Sequence, residues 1–351
     1  MAKTNAVEST NSGAPAKVET PAVSIPRKTV QISVRGKKVN VPCVQVQGRT
    51  VIIKGTWLKI ASVFDEGAID GDVIQDPELF LRDLDRAKCG ADIFTFSQRI
   101  PETEPKYSYP YEWDNAAAIP ITTYDEWFSK RIGTDVKQNV KKSVKRGVVT
   151  RSATFDESFI QSVVDIFNES PIRQGRPFWH YGKDFAAVKA EISHCLEKSE
   201  FIGAYCGDEM IGFVKLLRVG VTNDLVLIVS KQSHFDKKAT NALLAKAVEV
   251  CAQKNVPYLT YAKFAYGKKA NSSLAEYKRR HGFEQINYPR YYVPLSLTGR
   301  LAVKFKLYRD LKEILPEKAL TFLLDLRTKL FTKGVVPSPQ APSKETKGTA
   351  K

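Results

Sequence analysis

Three segments near the start of the chain alternate apolar and polar residues, TVQISV, KVNVPCVQV and RTVIIKG, with RGK and QG between them. Period-two alternation broken by glycine turns predicts a small antiparallel meander. A helix is expected around Pro77 to Lys88, then a buried strand in ADIFTFSQ, then a proline- and tyrosine-rich connector, PETEPKYSYPYEWD. In GTDVKQNVKKSVKRGVV the residues Val136, Val140 and Val144 recur every fourth position, with Thr134 placed to cap and Gly147 to terminate. This spacing predicts a helix with one narrow apolar stripe. Its other faces carry Lys137, Lys141, Lys142, Lys145 and Arg146, either as a solvated face or as a stripe for phosphate or a membrane surface.

From Val148 the order becomes regular. VVTRSAT reads as a strand, and FDESFIQSVVDIFNES as a helix whose inner side carries Phe159, Val163, Ile166 and Phe167. After the loop SPIRQGRPFWHYGKD comes a second helix, DFAAVKAEISHCLEKS. FIGAYC and MIGFVKLLRVG then form a hairpin turned at GDE, and NDLVLIVS is a strand with an almost continuous apolar core. The amphipathic helix KKATNALLAKAVEVCAQKN leads into the strand PYLTYAKF, the helix LAEYKRRHGF and a final strand pair around YPRYYVPL. There is no internal sequence repeat.

Composition adds the charge. The chain has 351 residues, 43% of them hydrophobic, and a formal net charge of +16. Such an excess calls for an anionic partner or a surface that tolerates self-repulsion; nucleic acid, phosphorylated small molecules and an anionic membrane face all qualify. The five cysteines form no CxxC pair and the four histidines have no ligand-like spacing, so neither a disulfide framework nor a metal site is expected. No apolar run reaches transmembrane length and the N-terminus has no signal-like apolar stretch, which predicts a cytoplasmic protein.

The element order from Val148 to about residue 295 resembles the GNAT acyltransferase superfamily. ALLAKAVEVCAQKNVPYL is similar to its central helix and following strand, and NSSLAEYKRRHGFE to its late helix, ending in Gly-Phe. Tyr277 stands five residues before Gly282, and YKRRHG resembles the spacing of the Fem-type peptidyltransferases, as does the junction YDEWFSKRIGTDVKQNVKKSVKRGV. The resemblance implies an α/β (α+β) fold: a GNAT-like mixed sheet flanked by helices, with a degenerate N-terminal half and C-terminal helices. The corresponding segments are disordered tails at 1–26 and 334–351, a β-rich half at 28–130, an acyltransferase domain at 131–299 and helices at 300–333. The implied activity is transfer of an acyl or aminoacyl group to an amine, the donor being acyl-CoA or aminoacyl-tRNA, without a metal. The acceptor class it implies is a cell-envelope or sugar-nucleotide precursor.

What the resemblance implies for the site follows by position. A backbone N–H within Leu227, Ile228, Val229 and Ser230 would meet the acyl carbonyl. The superfamily's pyrophosphate turn falls on FDKKAT, Phe235 to Thr240, which has no glycine, although Lys237 and Lys238 could supply charge. Lys263, Tyr266, Lys268, Lys269 and Asn271 complete the expected donor side, and Tyr277 would protonate a leaving group. The loop between the first two helices would overhang the acceptor: Arg173 and Arg176 suit phosphate or carboxylate, Trp179 and Tyr181 a sugar or base face, and His180 proton transfer near neutral pH. Arg290, Tyr291 and Tyr292 would line the acceptor side.

Beyond Gly299 two helices broken at Pro316, apolar on one side and basic on the other, suit packing on the domain or peripheral contact with the inner face of an anionic membrane. A second reading of the whole chain is a GNAT scaffold without catalysis that binds nucleic acid or such a surface; the missing glycine turn favours it.

Overall fold

The computed structural model describes residues 28–34, 37–266 and 272–309. Strands β1 (Thr29–Val34), β2 (Lys37–Val46), β3 (Arg49–Lys54) and β4 (Ile60–Val63) lead to helix α1 (Pro77–Arg86) and strand β5 (Ile93–Ser97). Next come β6 (Tyr111–Pro120), the single turn α2 (Tyr124–Glu126) extended by a π-helical turn at Trp127–Arg131, and α3 (Thr134–Lys145). Strand β7 (Val148–Ala153), helix α4 (Glu157–Asn168), the two-residue strands β8 (Ile172–Arg173) and β9 (Arg176–Pro177), and helix α5 (Phe185–Ile192) follow. Then come β10 (Ser199–Cys206), β11 (Glu209–Val219), β12 (Thr222–Ser230), α6 (Ala239–Gln253), β13 (Tyr258–Thr260), α7 (Ser273–Arg280), β14 (Glu284–Pro294) and α8 (Leu297–Lys304).

Among the described residues twelve strands form one mixed sheet in the order β1-β2-β3-β4-β5-β14-β6-β13-β12-β11-β10-β7. The first three are the antiparallel meander that alternation predicts. Two parallel pairs stand out, β4 with β5 and β12 with β13, and all other neighbours run antiparallel. Beside β5 lies β14, the last strand among the described residues; beside β13 lies β6, from the N-terminal half. Each parallel pair is therefore completed by a strand from the other half, and this exchange crosses the boundary expected near residue 130.

Several expectations are corrected here. The connector read from PETEPKYSYPYEWD gives way at Tyr111 to β6, because pairing with β13 and β14 on its two edges outweighs its polar and alanine-rich composition. The strand pair expected at YPRYYVPL is one long strand, β14. In α3 the N-cap is Gly133 rather than Thr134, and the buried stripe is Val136, Val140 and Ser143, leaving Val144 68% exposed. A stripe at i, i+4, i+7 follows the 3.6-residue turn more closely than one at i, i+4, i+8. Gly147 does end the helix, at φ +77. Lys268, Lys269, Asn271, both tails and residues 310–333 of the expected C-terminal helices lie outside the described residues; the first of those helices, expected from Arg300, begins at Leu297 and ends at Lys304.

Helix α6 packs Leu243, Leu244, Ala247 and Val248 onto Val214, Leu216 and Leu225, covering one face of the sheet. Helices α4 and α5 cover the other face, setting Ile160, Val163, Phe167 and Val188 against Phe201, Phe213 and Val229. Each such fully buried aliphatic side chain contributes roughly 1.5–3 kcal/mol relative to exposure. At the end of α7, Gly282 takes φ +83, and a Cβ there would stand 3.1 Å from Trp127 Nε1. The Gly-Phe ending thus marks a helix stop packed against the indole, whose N–H donates to His281 O at 3.0 Å. Among the described residues no helix is long and apolar enough to cross a membrane.

Candidate active site

The parallel pair β12–β13 is short. Only Thr222, Asn223 and Asp224 face Tyr258, Leu259 and Thr260; beyond Asp224 the strands part. Two features hold them apart. The chain after β13 stays with β6, through Tyr261 N–H to Ala117 O at 2.8 Å and Ala117 N–H to Ala262 O at 2.9 Å. In β12 the register against β11 slips at Lys215/Leu216, so that Val226 is extra, a β-bulge that bends the strand where it leaves β13. The freed carbonyls of Tyr261 and Lys263 need donors, and the buried ammonium of Lys278 on α7 supplies both, at 2.8 and 2.6 Å. Burial without an acidic partner pulls the Lys278 pKa down to about 8. The other parallel pair is bridged beyond its ends, where Ser97 Oγ–H donates to Glu66 at 2.8 Å.

An open cleft of about 560 Å³ adjoins the fork, lined by Thr222, Asp224, Val226, Thr260, Lys263, Tyr266, Ala116, Tyr288 and Arg290, and across it by Glu66, Ser97, Gln98 and Arg99. Its face follows from alternation. Leu225 packs on α6 and Asn223 donates to Cys251 Sγ on that helix, so Asp224 between them points to the opposite face, the one that carries α4 and α5.

The cleft's charges fall into two groups. Arg290 is held by Glu66 and by Asp114, the latter at 3.3 Å, and Asp114 also takes Lys263 at 2.8 Å. Burial pushes the Asp114 carboxyl up, but the Lys263 and Arg290 cations outweigh it and hold the group below the usual carboxylate range. Asp224 and Arg99 form the other group. Asp224 accepts the hydroxyls of Thr222, at 2.9 Å, and Thr260, and burial prevails over these bonds to raise its carboxyl above the ordinary value. Among the described residues the Arg99 guanidinium has one bond, to Gly67 O at 3.3 Å, and its Nε is buried without a partner. Among the described residues neither Asp224 nor Arg99 has an ion-pair partner within 4 Å. At longer range the two charges act on each other, Arg99 drawing the Asp224 carboxyl down without offsetting its burial, so the cleft offers one basic carboxylate and one guanidinium, neither held in a salt bridge.

Of the residues singled out from sequence, Lys263, Tyr266 and Arg290 line this cleft. Leu227, Ile228, Val229 and Ser230 form the part of β12 beyond the fork, with Val229 turned to α4 and Ile228 to α6. Arg173 is spent on structure: its guanidinium donates to Ser230 O at 2.6 Å and Ile166 O at 2.7 Å, lies near Glu169, and stacks over Phe178 at 4.4 Å. His180 is buried beside Phe167 and Phe178, with Nδ1 2.8 Å from Glu191, so it braces its loop. Arg176, Trp179 and Tyr181 are exposed on the same loop, away from the cleft lining. Tyr291 lies in the core, stacked on Phe96 at 5.0 Å, its hydroxyl accepting from Lys106 N–H at 2.9 Å. Tyr292 stacks on Tyr308 at 4.1 Å. Tyr277 stacks on His281 at 3.9 Å, and burial pushes its phenol well above the usual range.

Sequence reading passed over Asp224, Arg99, Glu66, Asp114 and Lys278. A carboxylate just inside an apolar strand, as in NDLVLIVS, was the signal for the first.

At Phe235–Thr240, the expected pyrophosphate turn, a 3-10 turn (Phe235–Lys237) runs into Lys238 at φ +59. The N–H groups of Phe235, Lys237 and Lys238 are bonded to Gln232, His234 and Phe235 carbonyls. Just before them, the Glu169 carboxylate takes the N–H groups of Gln232 and Ser233, at 2.5 and 2.9 Å, and the Ser233 hydroxyl. Lys237 donates to Arg146 O at 3.3 Å and Lys238 lies over the Phe235 ring. The successive N–H array that cradles a pyrophosphate is therefore broken, and part of it already holds an internal anion. The residues present do not fit the coenzyme A pyrophosphate.

No family model and no curated protein matches the sequence. Solved structures do match in fold. FemX superimposes with a TM-score of 0.50 at 11% identity, covering 79% of this chain and 89% of FemX. L-PGS from Bacillus licheniformis gives a TM-score of 0.50 at 11% identity, covering 75% of this chain and 88% of the other. The chain has a Fem-type, GNAT-like fold: a large mixed sheet flanked by helices.

Proposed function

We propose that the protein transfers an acyl or aminoacyl group to an amine in the cleft at the β12–β13 fork. The observation that carries this is the fork itself, with Asp224 at its apex. The acyl carbonyl lies along the part of β12 that β13 leaves unpaired, where backbone N–H groups stabilise the developing oxyanion. The acceptor nitrogen approaches from the cleft and attacks the carbonyl carbon. Its proton passes to Asp224, whose raised proton affinity suits a general base; as the carbon–oxygen bond to a tRNA carrier breaks, the carrier oxygen takes up a proton from water and Asp224 returns its own to solvent, restoring the carboxylate. Holding the two substrates in this geometry supplies much of the acceleration.

The charge pattern narrows the substrates. An acceptor with an amine at Asp224 and an anionic group within reach of Arg99 matches these two charges, which act on each other across the cleft without a salt bridge, as in a nucleotide-linked or cell-envelope precursor. The broken pyrophosphate turn argues for aminoacyl-tRNA as donor, whose polyanionic carrier the +16 chain attracts without a backbone cradle.

The test offers the protein aminoacyl-tRNA or acyl-CoA with a panel of phosphorylated amines and follows amide formation by mass spectrometry, with calorimetry for coenzyme A. Amide from aminoacyl-tRNA and no saturable coenzyme A binding are expected. Transfer from acyl-CoA alone would overturn the donor assignment; tight, salt-sensitive RNA binding without any amide would favour a binding protein.

A further inference from the structure

Two 3-10 turns from distant parts of the chain meet beside the cleft wall, Glu66–Ala68 and Leu196–Lys198. Each is preceded by a non-glycine residue in left-handed backbone, Asp65 at φ 57 and Cys195 at φ 52. An aspartate before a helical turn ordinarily gives its carboxylate to the N–H groups of that turn. Asp65 does not, and Cys195 makes no cap bond either. Both side chains turn to one atom instead: His194 Nε2 lies 2.7 Å from Asp65 Oδ2 and 3.4 Å from Cys195 Sγ. A carboxylate oxygen, an imidazole nitrogen and a thiol sulfur thus all lie within 4.8 Å of one another.

The backbone around them is fixed independently. Lys198 Nζ binds Ala68 O at 3.2 Å and Asp70 Oδ2 at 2.6 Å, tying the two turns together. The buried Lys215 ammonium holds Ile192 O at 2.9 Å and His194 O at 2.5 Å, setting the segment that presents the imidazole and the thiol. An ion pair between His194 and Asp65 accounts for the 2.7 Å contact. It does not call for a left-handed cysteine with its sulfur on the same nitrogen, a conformation that costs about 1–2 kcal/mol.

We propose that Asp65, His194 and Cys195 bind one divalent transition ion of borderline softness, zinc being the type case, with water in the fourth position. The mixed oxygen, nitrogen and sulfur set selects the class, since calcium and magnesium take all-oxygen shells whereas thiolate and imidazole suit zinc. Bonds of about 2.0–2.3 Å in tetrahedral array put ligand atoms about 3.3–3.8 Å apart. Reaching that spacing needs only small rotations: the sulfur–nitrogen distance of 3.4 Å already falls in this range, and the histidine–aspartate contact opens from 2.7 Å by about half an ångström or slightly more. Asp65 and His194 are exposed and Cys195 is half-buried, so an ion has a way in. When it binds, the proton lost from the Cys195 thiol goes to solvent, and the ion staples the Glu66 turn to the segment after α5. Glu66 holds Arg290 and Ser97 in the cleft, so the ion would steady that wall without touching substrate.

The test uses the full chain, reduced and freed of metal with a chelator, titrated calorimetrically with zinc chloride alone. One zinc per chain with micromolar or tighter affinity is expected, and cobalt in its place should give a near-ultraviolet thiolate-to-metal band. Cys195→Ser and His194→Ala should each weaken zinc binding by at least about tenfold and remove the band. Cys206→Ser, at another half-buried thiol, should change neither. Absence of stoichiometric binding by the parent chain, or binding that survives Cys195→Ser, overturns the site. Cys195→Ser is nearly isosteric, so it decides the matter even where His194→Ala fails to fold.

Discussion

Replacing Asp224 by asparagine should lower the rate of transfer by about a hundredfold to ten-thousandfold, the usual contribution of a general base. The asparagine retains an acceptor for the hydroxyls of Thr222 and Thr260, so the fork keeps its shape. The loss should fall on the rate constant at saturation more than on acceptor affinity. In the parent chain burial raises the Asp224 carboxyl, and only the ionised form accepts a proton, so activity declines as pH is lowered through that raised value. The Asp224→Asn variant should lose this acidic limb. The stability sign is opposite. A carboxyl with a raised folded pKa costs stability as pH rises from its unfolded value through its folded one, and above that range the cost is complete. At neutral pH Asp224→Asn should therefore be at least as stable as the parent. A variant that melts higher and transfers more slowly separates chemistry from misfolding; unchanged kinetics would remove Asp224 from the mechanism.

The second large effect concerns Arg290. Its guanidinium joins Glu66 to Asp114, with only 24% of its side chain exposed and 9% of that of Asp114. Substitution by methionine leaves Glu66 in the cleft wall without its cation and Asp114 with Lys263 alone, and breaking such a buried pair costs about 3–5 kcal/mol. For a chain of 351 residues that is a fall in Tm of roughly 4–7 °C. Asp114 gives the pH signature. Its folded pKa is depressed, so its contribution is present above the ordinary carboxylate range and is lost as pH falls through the depressed value. The stability gap between parent and Arg290→Met should accordingly narrow in acid. Denaturant unfolding across pH measures it, and a loss below about 1 kcal/mol, the level of an exposed pair, would show the network to be surface-like.

The sequence carried the periodic elements well: the opening meander, α6 and the Gly-Phe helix end all follow from spacing that a helix or strand needs regardless of context. The exchange of β6 and β14 between the two parallel pairs was not legible. Nothing in YEWDNAAAIP distinguishes a central strand from a connector until β13 and β14 pair with it. The same limit governed the site. Arg290, on β14, and Lys263, just past the end of β13, line the cleft because both strands border it. Arg173 and His180 have the chemistry of recognition, yet Ser230 O, Ile166 O and Glu191 satisfy them first. Asp224 looked like one polar residue in an apolar strand; its raised proton affinity arises from burial at the fork, which outweighs the hydroxyl of a threonine 36 residues away that pulls the other way.

The fork is tested most directly by a crystal structure of the protein with a short RNA acceptor-stem mimic carrying a non-hydrolysable 3′-aminoacylamide. The aminoacyl carbonyl should lie against the unpaired stretch of β12 between Leu225 and Ser230, with the cleft side of the carbonyl carbon open toward Asp224. Density for the aminoacyl group outside the β12–β13 fork, with the fork unchanged, would contradict the account.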